Sequence, residues 1–395
     1  MRIGINASFA RKPNTGIGQV TLNFLRKLSE SKSPKVQKSK GMDDLEFILY
    51  LEEDIDLKLP NNFKKKIFLP FWKRDDLIRK IWWEKCLLPK KVKEDNCDVL
   101  LSLYQCPTVL SSATVHIMVV HDIIPELFPE YLNNSRKKHY WKLTRKAIQE
   151  ADKIMAVSSR TEKDLIQQLE IEPERITVNH IDVDEIYKKN VETRHASSLQ
   201  EKYGLKEGYI LGGGGLEVRK NVEGLIRAYC SLLENNKKTH FAKNIPDLVI
   251  SGKLMPQLAP LVTDAEKLVK ELNLTGHVKL LDFVPQEDLP ALYENALMFV
   301  YPSFYEGFGL PVLEVMNCGT PVITSKNSSL PEVGKDAVLY CNPEDIEDIA
   351  MVIRNVILNE HVREELRRRG KERAQNFSWE NFVEKFFNIV ENFKS

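Results

Sequence analysis

Ser303-Phe304-Tyr305-Glu306-Gly307-Phe308-Gly309-Leu310-Pro311-Val312-Leu313-Glu314 runs straight out of the apolar segment Leu297-Met298-Phe299-Val300-Tyr301. A strand, a glycine-bearing turn and a helix start follow one another without interruption. Gly307 and Gly309 have no Cβ to block a ligand from the backbone. Pro311 falls in the first helical turn, where its missing N–H would have had no partner anyway. The start of that helix offers unpaired N–H groups and the positive end of its dipole to an anion. Glu314 lies a few residues into the helix, at about 1.5 Å of rise per residue, and can hold a neutral hydroxyl-bearing group beside the anion. Glu306, in the loop, faces whatever extends from the anion's other end. A diphosphate with a ribose on one side and a sugar on the other fits this layout. For a single glutamate, an ordinary strand–loop–helix joint with a solvated side chain would be the better account.

The 395 residues exceed what one compact core usually carries, so two domains are expected. Apolar content of 43% and charged content of 29% describe a soluble globular chain. The formal net charge of +1 argues against a general polyanion binder, and no nucleic-acid partner is expected. No run of about eighteen apolar residues suggests a transmembrane helix. Met1-Arg2 leads directly into strand-like Ile3-Gly4-Ile5 rather than into the apolar region of a signal peptide. Cys86, Cys97, Cys106, Cys230, Cys318 and Cys341 are scattered with no C-x-x-C pair, and read as free buried thiols of a reducing cytosol.

Along the first half, apolar strand candidates (Ile3–Asn6, Phe47–Leu51, Asp98–Ser102, Val115–Val120, Lys153–Ser158 and Ile176–Val178) alternate with helical periodicity. A polar stretch from Val191 to Glu207 reads as a linker. A second set follows: Tyr209–Gly212, Leu248–Gly252, Val278–Leu281, Met298–Tyr301, Pro321–Thr324 and Ala337–Tyr340. Continuous rather than alternating apolar strands, with helices between, indicate parallel sheets covered on both faces. Two doubly wound halves are expected, with ligand at the carboxyl ends of the strands. Ser378 before Trp379-Glu380 reads as the N-cap of a terminal helix.

Gly214-Gly215-Leu216-Glu217-Val218-Arg219-Lys220-Asn221 follows a strand and precedes the helical pattern Val222–Leu232. Backbone amides at such a turn cradle phosphates, and a lysine acts on them as a point charge. A basic pair at a helix start opposes the dipole, which favours an anionic ligand over a solvated pair. The four glycines Gly212 to Gly215 imply close backbone approach. Thr15-Gly16-Ile17-Gly18-Gln19 contains a Gly-x-Gly, but the third glycine and downstream ribose acid of a dinucleotide site are not evident. A lone histidine is more often structural, but His121, in Val120-His121-Asp122, stands at a strand's carboxyl end, so a ligand-binding role stays open beside the structural one. Asp182-Val183-Asp184 is a D-x-D, a pattern that can mark a metal site but that here falls next to the expected linker; no other carboxylate or histidine cluster has metal-ligand spacing. Phe63 to Lys91 and Arg136 to Lys142 are basic and rich in aromatics, including Phe71-Trp72-Lys73-Arg74 and Trp82-Trp83. Two readings fit them equally: amphipathic helices on an anionic membrane surface, or helices with tryptophans packed inward and lysines solvated.

The pattern around Glu306 and Glu314 continues through Val315-Met316-Asn317-Cys318-Gly319-Thr320-Pro321-Val322-Ile323-Thr324-Ser325 and Ser329-Leu330-Pro331-Glu332-Val333. It resembles the E-x7-E signature of retaining GT-B glycosyltransferases, the large family GT4 (glycosyl transferases group 1). The resemblance implies an α/β chain of two Rossmann-like doubly wound parallel-sheet domains with the active site between them. Residues 1–190 would form the acceptor-side domain, completed by a crossover C-terminal helix at 378–395, and residues 191–377 the nucleotide-sugar domain. It implies transfer of a hexose from a nucleotide-diphosphate sugar to a glycan or lipid-linked acceptor, with retention and without a metal or other cofactor. Lys220, in a loop with Gly214 and Gly215, would hold the diphosphate. Many members carry an arginine about five residues before that lysine; here glycines stand in its place, and Arg219 would compensate. Gly16 and Gly18 would close over the donor, and His121 would hydrogen-bond the transferred sugar, with Asp122 orienting it or capping the next turn. Phe283-Val284 matches the base-binding turn, with Asp282 where glycine is common. Gly307, Phe308, Gly309 and Leu310 would line the donor, with Glu306 on its sugar and Glu314 on its ribose. Asp182 replaces a usual hinge glycine. No positioned nucleophile and base are evident, unlike two-carboxylate glycosidases, so the β-phosphate is expected to take the acceptor's proton. The overall look of G-x-L-E-x-R-K-N points to GDP-mannose, with UDP-glucose or another UDP-sugar as the alternative. A nicotinamide-dependent oxidoreductase lacks its full glycine motif here. A catalytically idle nucleotide-sugar binder is opposed by Glu306, Glu314, Lys220 and His121. The expected location is cytoplasmic, with peripheral contact at the inner face of a membrane if the basic aromatic segments lie on it.

Overall fold

The computed structural model describes residues 1–30, 45–70, 76–111, 113–188, 196–236 and 245–393. The chain forms two compact units, Met1–Asp182 with Phe377–Ser395, and Val183–Asn376. The polar stretch from 191 to 207 therefore lies wholly within the second unit. Its residues 191–195 are outside those described, and Ala196–Tyr203 is helical. The chain joins the second core earlier because Asp184 caps the turn Glu185–Tyr187 and Tyr187 is buried with its ring 6.0 Å from that of Tyr293.

The strands of the first unit are β1 (Arg2–Asn6), β2 (Glu46–Leu51), β3 (Phe63–Ile67), β4 (Val99–Ser102), β5 (Val115–Val120), β6 (Lys153–Ala156) and β7 (Ile176–Val178). They stand in the order 3-2-1-4-5-6-7, every pair parallel. Those of the second unit are β8 (Tyr209–Gly212), β9 (Leu248–Ser251), β10 (Val278–Leu281), β11 (Ala296–Tyr301), β12 (Val322–Ser325) and β13 (Leu339–Cys341). Their order is 10-9-8-11-12-13, again all parallel. Each sheet thus winds outward in both directions from its first strand, the arrangement of dinucleotide-binding sheets. Helices cover both faces, so central strands such as β4 and β8 are buried at every residue, which is why they read as unbroken apolar runs.

The sequence reading missed β3. Phe63-Lys64-Lys65-Lys66-Ile67 was expected within a basic helical segment, yet it forms the sheet's edge. Its lysines pair with Glu46, Asp54 and Asp95, and a lysine-studded edge resists pairing with another chain. Trp83 is fully buried, stacked 5.1 Å from Phe68 and donating to the Phe68 carbonyl at 2.9 Å. Trp141 is buried too, whereas Trp82 is 44% exposed. Phe71-Trp72-Lys73-Arg74 lies outside the described residues. All six cysteines are free; Cys86 is exposed, contrary to the expectation of buried thiols. No helix among the described residues is long and apolar enough to cross a membrane.

The terminal helix Trp379–Glu391 completes the first unit. Ser378 caps it, accepting from the Asn381 amide at 3.1 Å. Its apolar face meets the helix Gly16–Glu30: Phe24 lies 5.7 Å from Phe382 and 5.9 Å from Phe386, both edge-on. Asn179 Nδ2 donates to the Phe382 carbonyl at 3.0 Å. Phe382 is 0% exposed, so Phe382→Ala leaves a cavity and should cost about 3–5 kcal/mol. Denaturant unfolding of the purified variant measures this as a lower midpoint at unchanged slope.

Candidate active site

In the second sheet the strand order reverses between β8 and β11, so the segments leaving their carboxyl ends diverge and open a crevice. Those segments are Gly213–Lys220 and Pro302–Gly309, which backbone and side-chain bonds draw together. The Phe304 amide donates to the Arg219 carbonyl at 2.7 Å, and Ser303 Oγ reaches the same carbonyl at 3.0 Å. Asn221, a left-handed residue closing the short turn Val218–Lys220, donates from Nδ2 to the carbonyls of Pro302 and Pro343 at 3.2 and 2.7 Å.

Glu306 sits at the centre of this joint, 8% exposed. Its Oε1 accepts from Arg219 Nη1 at 2.7 Å and Tyr301 Oη at 2.6 Å, and lies 3.0 Å from Ser303 Oγ, whose single proton is shared with the Arg219 and Tyr305 carbonyls. Its Oε2 receives no hydrogen bond among the described residues. Burial raises its pKa, but the charges of Arg219 and Lys220 and the bonds from Tyr301 and Ser303 together hold it below the usual carboxylate value. The site therefore presents an ionised carboxylate with one oxygen fully engaged. Arg219, expected on a leaving phosphate, spends Nη1 on Glu306 and on the Tyr305 carbonyl at 2.9 Å.

Lys220 is buried, with its ammonium on the Gly214 carbonyl, 3.8 Å from Glu217 Oε2 and 5.8 Å from the centre of the Tyr301 ring. Its charge bears on both Glu306 and Glu314. Glu314, on the helix Leu310–Cys318, is 6% exposed and accepts from Tyr293 Oη at 2.9 Å. Burial pushes its carboxyl up to about 7, only partly offset by Tyr293 and Lys220. The buried Tyr187 hydroxyl also faces Glu314 and helps to lower its carboxyl, although the two do not form a well-aligned hydrogen bond. Two glutamates one helix start apart thus have opposite electrostatic surroundings.

Gly214 and Gly215 have φ of 84° and 114°. Those angles disfavour any side chain, so the backbone favours glycine at both; a Cβ at Gly215 would meet only the movable end of Glu217, at 2.6 Å. Gly309 is the left-handed N-cap of the helix Leu310–Cys318, whose start no side chain caps. Gly307 is buried, and the Phe308 ring is packed inside; the carbonyls of Glu306 and Phe308 are held by Ser329 Oγ at 2.9 and 2.8 Å. Because the sheet is parallel, the turn after β10 lies at the same end. There Phe283 is 50% exposed and Val284 buried, while Asp282 accepts from the Leu254 amide at 2.8 Å.

The other predicted residues belong to the first unit. Gly16 begins the helix Gly16–Glu30, and a Cβ on Gly18 would stand 1.8 Å from the Lys12 carbonyl oxygen. Gly18 is thus required by the loop's own backbone. His121 is buried, and its Nε2 meets the Leu103 carbonyl at 2.9 Å. A carbonyl only accepts, so Nε2 carries the proton and Nδ1 remains an acceptor. Burial holds the imidazole below its ordinary value, hence neutral at pH 7. Leu103 orients the ring, and Asp122 accepts from the Ile124 amide at 3.0 Å.

Sequence reading assigned no role to Tyr293, Tyr301, Ser303, Ser328 or Ser329. Ser329 stood inside a quoted motif, but only the fold shows it clamping the turn. The raised Glu314 gives a pH prediction. Its folded-state pKa exceeds the ordinary 4.5, so ionising it costs stability. That cost is absent below about pH 4.5 and grows as pH rises through 7. Glu314→Gln, which still accepts from Tyr293, should therefore stabilise the ligand-free protein at pH 8 by up to about 3 kcal/mol and change little at pH 4.5, as read by denaturant unfolding at the two pH values.

Family comparison agrees with this architecture. Residues 197–376 match the model for "Glycosyl transferases group 1", and residues 48–185 that for "Glycosyltransferase Family 4". The chain is 31% identical to O-antigen chain mannosyltransferase B of Escherichia coli over 93% of this chain and 94% of that protein. It is 24% identical to O-antigen chain mannosyltransferase RfbU of Salmonella typhimurium, covering 89% and 90%. Among solved structures, WaaG, a glycosyltransferase involved in lipopolysaccharide biosynthesis, superposes with a TM-score of 0.71 at 18% identity over 99% of each chain. Anabaena Alr3699/HepE in complex with UDP-glucose does so at 0.70 and 17%, covering 99% and 100%. With two all-parallel doubly wound units and these matches, the chain belongs to the group 1, family 4 glycosyltransferases and is a glycosyltransferase of the GT-B fold.

Proposed function

We propose that the enzyme moves a hexose from a nucleoside-diphosphate sugar to an acceptor hydroxyl with retention of anomeric configuration, and that the donor is GDP-mannose. The observation that carries this is Glu306: an ionised, buried carboxylate whose Oε1 is engaged by Arg219, Tyr301 and Ser303 and whose Oε2 is left for a sugar hydroxyl. Mannose is favoured by the relatives, since O-antigen chain mannosyltransferase B is 31% identical over 93% of the chain. The HepE complex, related in fold alone, keeps UDP-glucose as the second reading.

The chemistry asks for stabilisation of an oxocarbenium-like sugar and of a departing diphosphate. Lys220 and the uncapped helix start at Gly309-Leu310 supply positive charge to the diphosphate, with no metal assigned a role. Arg219 acts through Glu306, holding the carboxylate in place. Glu314, beside Tyr293, takes the ribose hydroxyls. His121 offers Nδ1 to a sugar hydroxyl. The acceptor oxygen bonds to the anomeric carbon on the face from which the C–O(phosphate) bond breaks, and the departing β-phosphate takes the acceptor's proton. The acceptor is a growing glycan or a lipid-linked sugar, met on the cytoplasmic side. Exposed Ile78 and Trp82, four residues apart on one helix, suit peripheral contact with a membrane.

Lys220→Ala should lower turnover by about 10²–10³ with unchanged far-UV circular dichroism; unchanged turnover would remove the lysine from the mechanism. Thermal-shift measurements with GDP-, UDP- and ADP-sugars should raise Tm with GDP-mannose above the others. A larger shift with UDP-glucose would assign the donor to the second reading.

A further inference from the structure

The first sheet also reverses its order, between β1 and β4. Near these strand ends lies a constellation distinct from the residues above. Lys80 Nζ lies 4.8 Å from the Phe9 ring centre, 5.3 Å from that of Tyr104 and 4.8 Å from that of Tyr140. Lys12 Nζ lies 5.8 Å from the same Phe9 ring and has no carboxylate partner among the described residues. Arg11 Nε and Arg79 Nη2 approach the buried Glu52 at 3.4 and 3.3 Å. Arg79 Nε and Nη2 and Glu52 Oε2 are all buried, and none makes a hydrogen bond among the described residues. Beneath Lys80, at 3.8 Å, the buried Glu84 accepts from Tyr104 at 2.5 Å and Tyr140 at 3.0 Å.

Four cations face three carboxylates here. One of these, Asp76, stands 80% in water. Burial pushes another, Glu84, toward its protonated form. Burial first, then the charges of Arg11 and Lys80, hold Lys12 below its ordinary value, against the opposing pull of Asp76 and Glu52. The excess is positive, and Arg79, ion-paired through Nη2 with Glu52 and Asp76 at 3.3 Å each, still leaves Nε and Nη2 without a hydrogen bond, which is costly. A phosphate monoester brings about −1.5 to −2 charges and three acceptor oxygens, and the guanidinium fork matches its geometry. The Phe9 and Tyr104 rings, 4.4 Å apart and tilted by 58°, offer an apolar surface to a sugar ring.

We propose that Arg11, Lys12, Arg79 and Lys80, beside the rings of Phe9 and Tyr104, bind the phosphate of a phosphorylated sugar that serves as acceptor. The acceptor role rests on the reading of the enzyme as a hexosyltransferase; the phosphate site does not. A soluble hexose phosphate supplies this chemistry on one phosphorus, and a lipid-linked sugar diphosphate supplies about two negative charges spread over two phosphorus atoms. The test titrates the full chain calorimetrically with mannose, mannose 6-phosphate and a short-chain polyprenyl-diphosphate sugar. Wild type should bind one phosphorylated probe at least about tenfold more tightly than mannose, and Lys12→Gln and Lys80→Met should each lose about tenfold. The probe that binds identifies the source. Lys12→Gln alters a loop side chain, so a folding defect in Lys80→Met would not mask the result. Donor hydrolysis without acceptor should be unchanged in both variants. Equal binding of mannose and both phosphorylated probes, or full affinity in Lys12→Gln, would overturn the site. Wild type that binds the phosphorylated probe yet never cleaves any donor would sink the hexosyltransferase reading and leave the site standing.

Discussion

A buried ion pair between Arg219 and Glu306 fastens the two segments that leave β8 and β11. Both side chains are about nine-tenths buried, so each charge depends on the other for its solvation. Removing one partner of such a pair costs about 3–5 kcal/mol, because the other is left uncompensated. The remaining contacts are arranged around it. Tyr301 and Ser303 complete the shell of Oε1, Ser328 accepts from the Glu306 amide, and Ser329 holds the carbonyls on either side of Gly307. The result is a carboxylate fixed in one rotamer with a single oxygen to offer. That is what a group placing a sugar hydroxyl requires, since misplacement by about 1 Å can cost about a hundredfold in rate.

Glu306 and Glu314 show how one side-chain type is given two characters. Both are buried to a similar degree. Glu306 has an arginine in direct contact and stays ionised. Glu314 has the hydroxyls of Tyr293 and Tyr187 and the more distant Lys220, and burial still takes its carboxyl up to about 7. One ionised and one near-neutral carboxyl is also how a nucleophile and an acid are paired, but Oε1 of Glu306 is engaged by Arg219, Tyr301 and Ser303. The division instead suits a charged group for the reacting sugar and a near-neutral one for uncharged hydroxyls.

Much of this was legible in the sequence. Unbroken apolar runs marked the buried strands because parallel sheets covered on both faces leave no polar side. The segments around Glu306 and Lys220 were visible because glycine, proline and charge sit at fixed offsets from strand ends. The edge strand Phe63–Ile67 was not, because its lysines, which pair with acids far along the chain, erase the apolar signal. The partner of Arg219 was equally hidden. It lies 87 residues away, and only the reversal of strand order beside β8 brings the two together. Spacing could not reveal the tyrosines at Oε1 of Glu306 and Oε2 of Glu314, since buried aromatics on strands and helices read as ordinary core.

The central claim is that Arg219 acts by holding Glu306 and not on the diphosphate. A double-mutant cycle on kcat/KM, with Arg219→Gln, Glu306→Gln and both together, tests it most directly. If the two side chains work as one unit, the double variant should be little worse than the poorer single one, with a coupling energy of about 1–3 kcal/mol. Losses that add to within about 0.5 kcal/mol would contradict the account and place Arg219 on the donor independently of Glu306.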